Sequence, residues 1–143
     1  MKITIRKFSK EDKKGAVNLH KFLYPSDTSK KEIKKFLGDM KNCGFVARAD
    51  NKVVGFVSAG AFSTDIAEIF YIGVNPEYSK LGAGSGLLKA IEKEVSRKFS
   101  AILLMSSNIA KKKIKKVTGF YLKNGYKLIA QSKMSDLLFK RLK

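Results

Sequence analysis

The residues of this chain that are best placed to do chemistry form a glycine-rich segment after an apolar run. Five of the six residues 69–74 are β-branched or aromatic, as is typical of a strand, namely Ile69, Phe70, Tyr71, Ile72 and Val74. Pro76 ends the run. Apolar residues at the spacing of one helix face begin at Leu87. Between strand and helix the chain has three glycines at alternate positions, namely Gly82, Gly84 and Gly86. Such a turn predicts a cradle for an anion such as a diphosphate, because backbone N–H groups and the helix dipole point at the ligand.

The glycine spacing excludes two common phosphate-binding motifs. It matches neither the dinucleotide-binding fingerprint nor the P-loop of nucleoside triphosphatases. A second segment downstream has the pattern of a helix that ends in a glycine cap. Val117, Phe120 and Tyr121 lie at helical spacing, and Gly125 stands where a left-handed cap is needed. A strand over Tyr126–Ala130 is predicted to follow.

Both segments resemble signatures of the GNAT family of N-acetyltransferases. The family's coenzyme-A signature has a Gln or Arg, two variable residues, a Gly, one variable residue, and a Gly or Ala. The run Ser79–Gly84 fits both small positions, but Ser79 replaces the long side chain that helps to hold the diphosphate. Residues 119–127 are similar to the family's second signature, which places its acid-catalytic tyrosine on Tyr121. Packing of Tyr121 on the sheet is the alternative reading of that residue.

The resemblance implies transfer of an acetyl group from acetyl-CoA to a primary amine, by direct attack in a ternary complex. Tyr121 would protonate the departing sulfur. No protein nucleophile and no metal are expected. The acceptor could be a protein or a small molecule. The expected coenzyme-binding residues are the end of the fourth strand and the cradle, namely Ile72, Gly73, Val74, Ser79, Lys80, Leu81, Gly82, Ala83, Gly84 and Ser85.

Glu68 is the candidate for the base that accepts the proton of the amine. It lies fourteen residues before Gly82, the same offset as the catalytic glutamate of the family's histone-acetyltransferase branch. Strand alternation places Glu68 on one face with Phe70 and Ile72, where partial burial would raise its pKa. Two alternatives stay open. Glu68 could be a rim carboxylate that recognises a cationic acceptor or forms a salt bridge, or a water chain could replace it as the base.

Asn108 is a further coenzyme candidate, at an unusual position. Family members often have an Asn seven residues before the catalytic tyrosine, where it contacts pantetheine, but this chain has Ile114 there. Asn108 stands thirteen residues before Tyr121, directly after a predicted buried strand. It could contact the coenzyme if the next helix begins with an insertion. It could equally be a helix cap.

Composition predicts one globular domain over residues 1–143. The chain is 44% hydrophobic, and no apolar run approaches the roughly 20 residues that span a bilayer. A single cysteine, Cys43, excludes an internal disulfide and favours a cytoplasmic location. Cys43 and the one histidine, His20, cannot form a metal cluster, and we expect His20 to pack at the edge of the core. The chain could be a monomer or a homodimer.

The charge is strongly positive and leaves a second function open. Thirty basic residues against twelve acidic ones give a formal charge of +18, which attracts polyanions. The alternative to an enzyme is therefore a basic module that binds nucleic acid or a ribonucleoprotein on a GNAT-like fold, with little or no catalysis. The lysine-rich run 111–116 is read as the solvated face of a helix, with a role beside a coenzyme phosphate as the alternative.

The predicted order of elements is β-α-α-β-β-β-α-β-α-β-β, which is that of the GNAT fold. We expect an α/β (α+β) architecture with a mixed central sheet of about seven strands and about four flanking helices. Ser29 and Glu32 predict a capping box, and Asp50-Asn51 predict a hairpin turn. The expected strands are 2–8, 45–48, 53–58, 66–74, 101–105, 126–130 and about 134–141.

Overall fold

The computed structural model describes the backbone of residues 2–107 and 111–143, and the side chains of residues 2–106 and 117–143. The strands are β1 Ile3–Lys7, β2 Gly44–Ala49, β3 Lys52–Ala61, β4 Ile66–Val74, β5 Ala101–Ser107, β6 Lys127–Gln131 and β7 Ser135–Arg141. The helices are α1 Lys13–Leu23, α2 Lys30–Asn42, α3 Ala83–Val95 and α4 Lys111–Lys123. Short 3-10 helices, Lys10–Asp12 and Pro76–Leu81, precede α1 and α3.

The strands form one mixed sheet in the order β1-β2-β3-β4-β5-β7-β6. Adjacent strands β1 and β2, β2 and β3, β5 and β7, and β6 and β7 run antiparallel. Strands β4 and β5 run parallel, and their register joins Ile66–Glu68 to Ala101–Leu103. The predicted mixed sheet of seven strands is confirmed.

The chain divides into two compact units, and the first comprises Met1–Gly60 and Phe70–Glu94. Its core has large side chains from α2 and from the neighbouring strands, including the fully buried Phe36 and Phe56. The ring of His20 is also fully buried and stacks on Phe36, with 4.3 Å between the ring centroids. His20 is therefore a packing residue, as the sequence indicated, although it lies inside the core rather than at its edge.

One buried carboxylate ties together three elements of the first unit. Asp12 ends the first 3-10 helix and is fully buried, and it accepts hydrogen bonds of 2.7 Å from Arg6 on β1 and from Arg48 on β2. Ser9 N also donates to Asp12, at 3.0 Å. The first helical turn after Ser9 is 3-10, and α1 begins at Lys13.

Local signals for α2 and for the β2–β3 turn are confirmed in part. Ser29 Oγ accepts a hydrogen bond of 3.2 Å from Glu32 N, which is the first half of the expected capping box. The hairpin turns at Asp50, whose φ of 55° is left-handed, a conformation that Asp and Asn tolerate better than most residues.

The second unit comprises Ala61–Ile69 and Val95–Lys143. Residues 101–104 of β5 are buried, as expected for an apolar run, but Met105 is 63% exposed. On the strand face that carries Leu103, burial therefore ends at Met105, which is the last residue of the predicted strand. Every residue of β6 is exposed, and the β6–β7 pairing has a register shift between Leu128 and Ala130. No helix in the described part of the chain is long and apolar enough to cross a bilayer.

Candidate functional site

The glycine-rich turn lies where the sequence placed it, between β4 and α3 in the first unit. After Val74, the N–H group of Asn75 donates to Val54 O at 2.8 Å, which fixes the start of the turn to β3. Asn75 Oδ1 accepts from Glu77 N at 3.0 Å and so caps the 3-10 helix Pro76–Leu81. These two hydrogen bonds hold the turn in place and tie its start to β3.

Gly82 is the residue that makes the turn possible. Its φ of 82° is left-handed, and a Cβ built on it would meet no atom within 4 Å. The position is therefore open in space but strained for any residue except glycine. The first α-type bond of α3 runs from Gly86 N to Gly82 O at 3.0 Å. The N–H groups of the preceding residues of α3 therefore lie at the helix terminus, where such groups are available to an anion.

The other two glycines of the motif have different roles. A Cβ on Gly86 would lie 3.1 Å from Ile5 Cγ1, so Gly86 allows α3 to pack closely on β1. Gly84 is half-buried in the first turn of α3 and has no left-handed backbone. Behind them Leu87 and Leu88 are fully buried and anchor the helix. Two of the three glycines thus belong to the cradle itself, and the third belongs to the core.

The remaining residues of the predicted cradle differ in exposure. Ser79, Lys80 and Leu81 are exposed, Ala83 is buried, and Ser85 is half-buried. Ser79 Oγ donates to Pro76 O at 3.0 Å, within the 3-10 helix. The short side chain that replaces the family's Gln or Arg is thus engaged locally. The cationic side chain nearest in sequence to the glycines is Lys80.

The end of β4 contacts the end of α1. Tyr24 Oη donates to Ile72 O at 3.0 Å, so one of the backbone groups expected to hold the coenzyme already has a partner. A Cβ on Gly73 would lie 2.6 Å from Leu23 Cδ1, so the glycine leaves room for α1 beside the strand. Ile72, Gly73 and Val74 are all half-buried.

The sequence did not indicate a polar cluster that lies beside this contact. Burial raises the pKa of Tyr24, and the nearby carboxylate of Asp27 adds to the effect. The carboxyl of Asp27 beside Glu32 raises the pKa of Glu32. His20 Nε2 lies 3.2 Å from Asp27 O. A neighbouring carboxyl disfavours ionisation of Glu32. Nothing in the sequence around Tyr24 indicates its contact with β4.

Glu68 lies in the middle of β4 and belongs to the second unit. It is half-buried and pairs with Leu103 of β5 in the parallel register. Its neighbours Ala67 and Ile69 are buried, so Glu68 is on the less buried face of the strand, as the alternation predicted.

Tyr121 lies near the end of α4, also in the second unit, and is 5% exposed. Its ring contacts those of Phe120 and Tyr126 edge to face, at centroid distances of 5.2 and 5.7 Å. Tyr126 N donates to Tyr121 O and Gly125 N to Leu122 O, while Gly125 has a φ of 91°. These two bonds form a Schellman motif. The predicted glycine cap is therefore confirmed, and it fixes the backbone of Tyr121.

Asn108, the other coenzyme candidate, lies outside the described residues. Within the ranges that the structure does describe, no group of three or more His, Cys, Asp and Glu side chains could hold a metal ion.

Comparison with known proteins gives the same fold at low sequence identity. Ard1 from Thermoplasma volcanium superposes with a TM-score of 0.80 and 19% identity, over 99% of this chain and 98% of that one. The PaiA N-acetyltransferase from Thermoplasma acidophilum, solved in complex with coenzyme A, has a TM-score of 0.77 and 23% identity, over 99% of both chains. The aminoglycoside 6′-N-acetyltransferase from Enterococcus faecium has a TM-score of 0.79 and 18% identity, over 98% and 97%.

Sequence comparison reaches a curated relative and a family. An uncharacterised N-acetyltransferase of Methanocaldococcus jannaschii is 31% identical over 88 residues, which are 62% of this chain. The matched segment spans 56% of that relative's length. Residues 11–126 match the model of the acetyltransferase (GNAT) family, a range that contains Glu68, the cradle and Tyr121. The chain belongs to the acetyltransferase (GNAT) family.

Proposed function

We propose that the protein is an N-acetyltransferase that moves an acetyl group from acetyl-CoA to a primary amine. The observation that carries the proposal is the turn from β4 to α3, with its left-handed Gly82 in open space directly before the N-terminus of the helix. This arrangement fits a diphosphate, which needs close approach of the backbone and unpaired N–H groups. The coenzyme A in the related PaiA structure supports the same ligand.

The coenzyme would lie along the end of β4 and over the cradle. The backbone of Ile72–Val74 would contact its pantetheine arm, and residues 79–85 its diphosphate. Because Ser79 Oγ is bonded to Pro76 O, the cradle relies on backbone N–H groups and on the charge of Lys80 instead of a long polar side chain.

Acetyl-CoA supplies the acetyl group as a thioester, whose carbonyl carbon bonds to the amine nitrogen while the bond to sulfur breaks. Tyr121 gives its hydroxyl proton to the departing sulfur, which neutralises the thiolate. The amine gives up a proton, for which Glu68 or a water chain is the acceptor. No covalent acetyl-enzyme is needed, because the amine attacks directly.

The alternative function, binding of nucleic acid through the basic surface without catalysis, rests on the net charge of +18. Coenzyme binding and nucleic-acid binding respond differently to salt, so one series of melting curves separates them. Acetyl-CoA at about 100 times its Kd should stabilise the protein by about 2.7 kcal/mol. Stabilisation by an oligonucleotide should instead fall steeply between about 50 and 200 mM salt.

The activity itself is tested by release of the free coenzyme thiol in the presence of amine acceptors. We expect thiol release that requires both an acceptor and the protein, together with appearance of the acetylated amine by mass spectrometry. Free pantetheine, which lacks the diphosphate, should bind much more weakly than coenzyme A if the cradle is the binding site. A protein that binds the oligonucleotide but shows no thermal shift with acetyl-CoA would favour the alternative function.

A further inference from the structure

A groove with a volume of about 760 Å³ runs along the helices α1 and α2 in the first unit. It does not include any residue that we assign to coenzyme binding or catalysis. Six exposed lysines line it, namely Lys10, Lys13, Lys21, Lys30, Lys34 and Lys41. We call this feature the lysine groove.

The charge of the lysine groove is not balanced by the protein itself. Of the described residues that line it, none is acidic. None of the six lysines forms an ion pair with a carboxylate in the described part of the chain. Lys35, on the same helix but outside the groove, does have a partner, Asp39, at 2.9 Å. Like charges held at one groove repel one another, so an anionic ligand there would be favoured.

The floor of the groove is apolar, and this feature decides which anion fits. Phe8, Ile33 and Leu37 are half-buried and line the groove between the lysines. A phosphodiester backbone gains nothing from aliphatic contacts. Single-stranded bases need aromatic side chains on which to stack, and Phe8 is the one aromatic residue among the described lining residues. The floor therefore favours a ligand with apolar side chains of its own.

Gly38 removes part of the groove wall. It lies in the interior of α2 and lines the groove, and a Cβ built on it would meet no atom within 4 Å. A glycine inside a helix is destabilising relative to Ala. No neighbouring side chain in the described structure requires a glycine there. The missing side chain leaves the α2 backbone open to close approach from the groove.

We propose that the lysine groove binds an acidic amphipathic helix of a partner protein. Its apolar residues, at the spacing of one helix face, would pack on Phe8, Ile33 and Leu37. Its carboxylates would pair with the lysines on both rims, and its backbone would pass close to Gly38. This is binding of a helix in a groove, with apolar anchors and charged flanks. The proposal does not depend on the acetyltransferase activity.

The experiment measures binding of a labelled peptide of about 18 residues, which forms about five helical turns. It carries Leu at the positions of one helix face and Glu elsewhere. A scrambled peptide of the same composition and a single-stranded DNA of the same charge are the comparison ligands. At about 0.15 M salt, where surface charges are largely screened, we expect the amphipathic peptide to bind at least about tenfold more tightly than the scrambled one.

Variants at Gly38 test the shape of the groove, and variants at two of its lysines test the charge. Gly38→Gln places a neutral side chain in the groove and should weaken peptide binding by about tenfold or more without lowering the melting temperature, because Gln favours helix more than Gly. Gly38→Ala is the matched control and should keep most of the affinity. The double variant Lys34→Gln with Lys41→Gln should weaken binding, whereas Lys89→Gln, outside the groove, should not.

Four outcomes would overturn the proposal. Equal affinity for the amphipathic and scrambled peptides would show that the groove recognises charge alone. Wild-type affinity in the Gly38→Gln variant would show that the peptide binds elsewhere. Tighter binding of the DNA, lost in the Lys34 and Lys41 double variant, would identify the groove as a nucleic-acid site. Absence of peptide binding by the wild-type protein would likewise exclude this partner.

Discussion

Tyr121 is the single residue on which the proposed chemistry depends most, and its surroundings are well defined. Its ring is held between two aromatic neighbours, and the Schellman motif at Gly125 fixes its backbone. Its burial fits a packing role. The proposed acid role is compatible with packing, because packing would hold the ring while the hydroxyl donates its proton.

The variant Tyr121→Phe separates these two roles. It removes one hydroxyl and little packing, so stability should change modestly. We expect kcat to fall by at least about tenfold, since general-acid catalysis typically contributes 10²–10⁴-fold, with the Kd for acetyl-CoA nearly unchanged. Steady-state kinetics and a binding titration on the same preparation check this prediction. Wild-type turnover in the variant would assign Tyr121 to packing alone.

The variant Glu68→Gln tests whether Glu68 is the base that accepts the proton of the amine. The substitution keeps the shape of the side chain and removes its basicity, so the rise of kcat with pH should be lost if Glu68 accepts the proton. The deficit should shrink as the pH approaches the pKa of the acceptor, about 10.4 for a lysine amine, because solution then supplies free amine. The measurement is the pH profile of kcat for wild type and variant at saturating substrates.

Recognition of a cationic acceptor by Glu68 would give a different pattern. The variant would then show a raised acceptor KM, while kcat and its pH profile would change little. A variant equal to wild type in both parameters would exclude both roles and point to a water chain.

A substitution in the first turn of α3 should block the diphosphate cradle without unfolding the protein. Gly84→Val adds an isopropyl group in the first turn of α3, where the backbone is not left-handed. We expect the affinity for acetyl-CoA to fall by at least about tenfold, or 1.4 kcal/mol, with secondary structure retained. Titration calorimetry and circular dichroism check the two parts. Gly82 is a poorer choice, because its φ of 82° would strain any replacement.

Gly38→Val is the matched control, since it makes the same substitution inside another helix of the same unit. It should leave coenzyme affinity unchanged. If a folded Gly84→Val protein binds acetyl-CoA as the wild type does, the diphosphate is not held at this turn.

The sequence predicted those elements whose signals are local. Gly82 and Gly125 were expected at special backbone positions, and both have left-handed φ values. The strand 66–74 was predicted with its observed bounds. The bond from Tyr24 to Ile72 could not be predicted, because it joins residues 48 positions apart and depends on how α1 packs. The exposure of Met105 could not be predicted either, because residues 101–105 are all apolar.

Asp12 contributes to the free energy of unfolding of the protein, and its contribution depends on pH. Its burial opposes ionisation, but hydrogen bonds from Arg6, from Ser9 N and from Arg48 outweigh burial and lower the pKa of Asp12. A carboxyl with a lowered pKa stabilises the fold above the pKa of the unfolded chain, about 3.9. This contribution is lost as the pH falls through the lower folded-state pKa.

The variant Asp12→Asn should therefore lose about 2–4 kcal/mol of unfolding free energy at neutral pH, because two arginines lose a charged partner. The difference from wild type should shrink on acidification through the range below about pH 4. Urea titrations at pH 7 and at low pH measure it. Asp50→Asn, at an exposed turn, is the control and should show neither effect. A difference that stays constant with pH would exclude the ionised carboxylate as the cause.

The register shift in β6 has a consequence for how copies of this chain meet one another. As the last strand of the sheet, β6 exposes Leu128 and Ile129, which are 41% and 52% accessible. Such an edge is a template for uncontrolled fibre-like growth. The bulge at 128–130 breaks the spacing that a docking strand would need, and Lys127 adds charge at the start of the edge. We expect the irregular strand to oppose edge-to-edge pairing of two copies, together with the mutual repulsion of molecules that each carry +18.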